Sequence, residues 1–254
     1  MKKILALVLA LTMVLGMLAG CSGEEDIAGQ VTPIEKEEEV VQQEEPSEAP
    51  NEETEAPEEE TEAPHDENAV SLGRLEGGIY TNTYAGFGCE LDENWVYYSA
   101  EELQELPENA NELFAETELG ELASGYTQIS DMMAENVNDY TTMNVLYTQI
   151  GLQERLAYMA MSEEEAVELT LEQEDMLIDA YEQAGYENAT MEKVTVTFLG
   201  EEHTALKTHC TLQGYDYYIL QIMDYKCGSY GVTLTVSSFF EDLTQSLLDL
   251  FYKV

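Results

Sequence analysis

Hydrophobic and polar positions divide this chain into three parts. Lys2 and Lys3 precede an apolar stretch from Ile4 to Leu18. From Ser22 to Val70 large apolar side chains are scarce, and Glu, Pro, Ala, Thr and Gln dominate. From Ser71 onward apolar residues recur with the periods of strands and helices, so the packed domain is expected over residues 71–254.

Within that domain, 78–82 and 87–91 predict two short strands, with Tyr84, Ala85, Gly86 and Gly88 supplying the turn and the permissive backbone. Asp92-Glu93-Asn94 is a turn, and Trp95 to Tyr98 starts a third extended piece. Ser99 with Glu102 is a capping box, opening a helix that stops before Pro107. A second helix is predicted from Ala110 to Leu119, with Gly120 as its stop. Residues 127–134 and 142–150 predict a strand pair across Asn136-Val137-Asn138-Asp139. Met143, Val145 and Tyr147 lie on one face and Asn144, Leu146 and Thr148 on the other. Asp131-Met132-Met133 also fits a helical turn.

Ser162 and Glu165 form another capping box, and the spacing predicts one long helix that ends at Gly185. Its apolar stripe includes Val167, Leu171, Leu177 and Tyr181, and Glu168, Glu172, Glu174 and Glu182 cover the opposite face. Four strands follow at 192–199, 203–213, 216–227 and 230–238, joined by Gly-containing turns of hairpin type. The short links make them antiparallel neighbours. Leu243, Leu247, Leu250 and Phe251 predict a closing helix over 240–252. This order of elements describes an α+β domain whose antiparallel β-sheet is flanked by helices.

Charge narrows the possible partners. The 254 residues carry a formal net charge of −44. Residues 22–70 hold 19 acids and one base, and residues 71–254 hold 34 acids against six bases, a balance of −28. Such a field repels phosphate backbones, so no nucleic acid is expected as a partner. It attracts cations and basic partners. The composition of 21–70, with Glu-Thr-Glu-Ala-Pro at 53–57 and again at 60–64, predicts a disordered acidic tether. As a flexible coil it would span about 40 Å.

Leu18-Ala19-Gly20-Cys21 ends the apolar stretch, and the whole opening resembles the bacterial lipoprotein signal, the lipobox. The resemblance implies a signal peptide at 1–20, removed before Cys21. It implies lipid on Cys21 as the membrane anchor and an extracytoplasmic location at the cell membrane. The apolar stretch is at or below the roughly 18 residues that a membrane-spanning helix needs. Cys89, Cys210 and Cys227 then remain, with no C-x-x-C spacing. They are expected to be free, mostly buried thiols, and at most one disulfide is available to them.

A second resemblance covers 76–252. Tyr80-Thr81-Asn82, then Gly86-Phe87-Gly88 and Leu91 to Trp95, are similar to the opening of PsbP-like domains, with Glu93-Asn94 where that family has Pro-Gly before the Trp. The later long helix, β-meander and C-terminal helix follow the same layout. The resemblance implies an α/β/α sandwich and a binding or assembly module. It assigns no active site, because the family shares no single activity.

The sequence carries no Gly-x-Ser-x-Gly, H-E-x-x-H, P-loop or dinucleotide fingerprint. His203 and His209 are six residues apart in one strand, about 20 Å at strand rise, too far to share a metal. No metal or cofactor is expected. Asn188-Ala189-Thr190 matches a glycosylation sequon, which behind a bacterial lipobox is a chance match.

Tyrosines are the remaining lead, at 97, 98, 215, 217, 218, 225 and 230. Tyr217, Ile219, Gln221, Met223 and Tyr225 share one face of the 216–227 strand, with Tyr218, Leu220 and Ile222 on the other. The first set is the candidate binding face, and cross-strand packing is the competing role for it. Two functional expectations follow. One is a non-catalytic, lipid-anchored binding or scaffolding domain with an exposed aromatic face, serving an envelope protein. The other is a small-ligand or cation-binding accessory lipoprotein, associated with a transporter, with a pocket.

Overall fold

Two hairpin turns set the frame of the larger sheet. Leu199-Gly200 and Gln213-Gly214 both hold positive φ at each central residue, the two-residue turn whose twist matches that of the flanking strands. The computed structural model describes residues 71–106, 126–227 and 230–254, with 153 and 224–227 as backbone alone. The expected signal peptide at 1–20, the tether at 21–70, Cys21 and the helix expected at 110–119 lie outside the described residues.

The described chain runs β1 (Arg74–Glu76), β2 (Ile79–Asn82), β3 (Phe87–Glu90), β4 (Trp95–Tyr97) and a helix α1 whose described residues are 100–106. Then come β5 (Gln128–Asn136), β6 (Thr142–Gln149), α2 (Leu152–Ala160), α3 (Glu163–Leu171) and α4 (Glu174–Gln183). The meander β7 (Tyr186–Phe198), β8 (Glu201–Leu212), β9 (Tyr215–Cys227) and β10 (Tyr230–Phe239) follows, and α5 (Thr244–Leu248) and β11 (Phe251–Lys253) close the chain. The domain is α+β, and all strand pairs among its described residues are antiparallel. Among the described residues, seven strands form one sheet in the order β4-β5-β6-β10-β9-β8-β7, and four form another in the order β1-β2-β3-β11.

Each face of the larger sheet buries its own core. On one face Leu206, Cys210, Tyr217, Ile219 and Met223 pack beneath Val167, Leu177 and Tyr181 of α3 and α4. On the other, Val145, Tyr147, Leu220, Ile222 and Val236 pack against Tyr80, Phe87 and Cys89 of the small sheet and Leu247 of α5. Burial on both faces explains why β10 is buried along its whole length. Phe87, Phe198 and Phe251 meet edge to face with centroids 5.7 to 5.8 Å apart, and tie the two sheets together. Cys89 and Cys210 are free and buried, one in each core.

Several expectations change. Helices were expected on both faces of one sheet; one face instead carries the small sheet together with α5. The long helix expected from Ser162 to Gly185 keeps its capping box and its glycine stop, but breaks into α3 and α4. Thr170 sends its hydroxyl to the Ala166 carbonyl at 3.0 Å, and Gln173 N–H closes a tighter turn on Thr170 at 2.9 Å. Such back-bonding bends a helix, and Gln173 leaves the helical region at φ −108° and ψ 19°. The closing helix expected over 240–252 shrinks to five residues, because Phe251, Tyr252 and Lys253 pair with Cys89, Gly88 and Phe87 to finish the small sheet. That exchange satisfies the edge of β3 with backbone hydrogen bonds while Phe251 enters the core. Helix α2 was not expected: Gly151 offers it no side-chain cap, and Leu152 and Leu156 face solvent rather than a core.

Candidate functional site

Tyr217, Ile219, Gln221 and Met223 are buried to within 1 % of complete exclusion from solvent. The alternation expected along β9 holds from Tyr217 to Met223, and α3 and α4 cover that face, so these four residues pack in the core instead of presenting a binding surface. Beyond Ile222 the register against β10 slips by one residue, which pairs Tyr225 with Val232 and takes it out of the expected alternation. Tyr217 lies in contact with Phe239 and stacks on Tyr186, and its hydroxyl donates to Ser237 Oγ at 2.6 Å. Gln221 Nε2 donates to Thr235 Oγ1 at 3.2 Å. Tyr225 lies in β9, and its side chain is outside the description.

A concave feature lies elsewhere, where β4 stops short. β4 pairs with β5 only from Ala134 to Asn136. Beyond that the chain turns through Ser99, whose backbone N–H donates to the Glu102 carboxylate and whose hydroxyl accepts from Glu102 N–H, and enters α1. This leaves the edge of β5 facing a cleft of about 720 Å³. All residues from Tyr126 to Met133 line it. Consecutive strand residues point to opposite faces, so a hollow touching eight in a row must run along the strand's edge. Tyr97, Tyr98, Leu103, Leu72 and Leu75 close its other walls. Its size falls within the range of small-molecule sites.

Asp131 is the one acid among the described residues of this wall, and it is 8 % exposed. A β-bulge puts it there. The register of β5 against β6 slips between Ser130 and Met132, so the extra residue turns toward the small sheet. Asp131 Oδ2 accepts from the Tyr80 hydroxyl at 2.5 Å and from Asn82 Nδ2 at 2.6 Å, and Oδ1 accepts from Gly73 N–H at 2.7 Å. Asn82 Nδ2 also donates to the Tyr147 hydroxyl at 2.8 Å, while its Oδ1 accepts from Ala85 N–H at 2.8 Å. Burial pushes the Asp131 carboxyl above the ordinary carboxylate range, against the lowering effect of its three donors. Burial and the neighbouring carboxylate hold the Tyr80 hydroxyl protonated. Among the described residues no cation pairs with Asp131. At the mouth, the Tyr98 hydroxyl donates to Glu135 Oε2 at 3.3 Å, and Tyr97 donates to the Gly78 carbonyl at 3.3 Å.

Gly73 fits this site because it has no side chain. A Cβ there would lie 2.3 Å from the Tyr80 ring. Sequence reasoning passed over Asp131, Tyr80 and Asn82. The trace they left is a broken period: Ile129 and Met132, both on the small-sheet side, are three residues apart instead of two.

The two described histidines each have an acidic partner. His203 Nδ1 meets Glu163 at 2.7 Å, and His209 Nε2 meets Asp216 at 2.9 Å. Among the described residues no three His, Cys, Asp or Glu side chains form a metal-binding group. A smaller hollow of about 440 Å³ lies over β7 to β9, where His209 stacks on Tyr218 at 4.7 Å. No helix among the described residues is long and apolar enough to cross a membrane. No protein-family model matches the chain, and no curated protein matches it.

Proposed function

We propose that this protein is a lipid-anchored, extracytoplasmic binding protein that takes a small ligand into the cleft along β5 and performs no catalysis on it. The cleft carries this reading: about 720 Å³, walled by tyrosines and leucines, with one buried carboxylate held by three donors. Burial of the β9 face removes the feature that favoured a scaffold with an exposed aromatic surface. Anchoring rests on Leu18-Ala19-Gly20-Cys21, and the spacing function of 21–70 on its acidic, proline-containing composition. For the fold we propose a PsbP-like sandwich, supported by the Tyr80-to-Trp95 opening and the helix-covered meander.

The test is a thermal-shift screen of the intact chain in mild detergent against amines, sugars, carboxylates and metal ions. A cleft ligand at about 100 times its dissociation constant adds about 2.7 kcal/mol, a rise in Tm of about 5–10 °C for a domain of this size. Leu75→Trp, at a rim position 48 % exposed, narrows the cleft and should abolish the shift. A panel without any shift, or a shift that Leu75→Trp leaves intact, overturns the cleft assignment. Cys21→Ala tests the anchor: it should release the protein from membranes, and continued partitioning refutes lipidation at that residue.

A further inference from the structure

Resting on the cleft as the binding site, we infer that its ligand is an organic ammonium compound, with one cationic nitrogen on an apolar body. Asp131 sits in the cleft wall with its charge answered by a phenol, an amide and a backbone N–H, all uncharged, and by no cation among the described residues. Those three donors fix the orientation of the carboxylate before any ligand arrives. Oδ2 is used twice and Oδ1 once, so Oδ1 keeps an open lone pair.

The remaining lining suits the rest of such a molecule. Leu72, Leu75, Leu103 and Met132 supply apolar surface, and Tyr97 and Tyr98 add rings that attract a cation over their faces. Among the described residues no strand pairs with the cleft side of β5 from Gln128 to Met132, and the peptide groups there can meet a polar substituent. The domain's balance of 34 acids against six bases raises the local concentration of cations and lowers that of anions. A carboxylate or phosphate ligand would meet Asp131 with like charge, whereas a metal ion would find one protein carboxylate where it needs several oxygens.

Isothermal titration of the intact chain at 0.15 M salt with 4-phenylbutylamine, 4-phenylbutanol and 4-phenylbutyrate tests the inference. The three share a body and differ in charge. The amine should bind at least about tenfold tighter than the alcohol, the scale of one charge-assisted hydrogen bond in a buried site, and the carboxylate should show no binding. Asp131→Asn should bring the amine down to the alcohol's affinity. Glu76→Gln, which removes the same charge from an exposed strand, should change nothing. Equal binding of amine and alcohol to the unaltered protein overturns the ammonium assignment and leaves the cleft standing. Equal loss in Glu76→Gln means general charge attraction and also overturns it. If none of the three compounds binds, the inference fails, and the broader screen with Leu75→Trp decides separately whether the cleft binds anything.

Discussion

The bond from Tyr80 to Asp131 gives the sharpest test of the buried carboxylate. Tyr80→Phe keeps the ring and removes one oxygen, at a position 2 % exposed. A hydrogen bond to a charged acceptor in the interior contributes about 1.5–3 kcal/mol, so the variant should lose about 2 kcal/mol at pH 8. The loss falls on the ionised carboxylate, and 2 kcal/mol corresponds to a further rise of about 1.5 pH units in the folded-state pKa of Asp131. The sign follows from linkage. Asp131 in the folded protein already holds its proton more tightly than in the unfolded chain. As pH falls through its folded pKa, the folded state takes up the proton first and gains stability. In Tyr80→Phe this uptake begins at higher pH. The penalty is therefore complete above both folded values and narrows as pH falls through them. Urea unfolding followed by Trp95 fluorescence reads it. With a slope of about 2 kcal/mol per M, the midpoint should drop by about 1 M at pH 8. The drop should shrink progressively as the pH is lowered from 8 toward the pI of about 4.1. A penalty that stays constant over that whole range would mean that the hydroxyl acts through packing and not through the carboxylate. No penalty at pH 8 would mean the bond contributes nothing.

Other expectations follow from the same structure. Phe251→Ala removes a ring from the trio joining the two sheets and should cost about 3–5 kcal/mol, read as a fall in Tm together with faster labelling of Cys89. Burial pushes the Cys89 thiol up to about 11 and the Cys210 thiol up to about 12. An alkylating reagent at pH 8, with sites assigned by peptide mass, should therefore leave both untouched in the folded protein and modify both in urea; rapid modification of either without urea contradicts their burial. Ser162→Ala breaks the reciprocal bonds with Glu165 and should cost about 1 kcal/mol, whereas Ser162→Gly should cost only a few tenths. Equal losses in chemical denaturation would show that the cap contributes nothing through its hydroxyl.

Local chemistry made the secondary structure legible. Ser99 with Glu102, Ser162 with Glu165, Gly185, and the turns at Gly200 and Gly214 act within four residues of themselves, and each does what its spacing predicts. The two faces of β9 were also legible from Tyr217 to Met223, because strand geometry allows only two, whereas the register slip that moves Tyr225 was not. What lay over each face was not. Tyr217, Ile219, Gln221 and Met223 read equally as a binding surface or as a core, and the choice fell to α3 and α4, which begin more than 40 residues earlier in the chain. Phe251 is apolar in a helix and in a strand alike; the open edge of β3, some 160 residues away, made it a strand.

The candidate site shows the same division. The sequence alone supplied an acidic chain, 16 tyrosines, and a strand pair around Asp131. The tertiary structure supplied the bulge that turns Asp131 inward, the short β4 beyond which β5 borders the cleft, and the small sheet that brings Tyr80, Asn82 and Gly73 to the carboxylate. Patterns of period and capping report contacts between near neighbours. A cleft is defined by what fails to cover an edge, and that depends on elements about 30 to 60 residues distant, whose meeting no local pattern encodes.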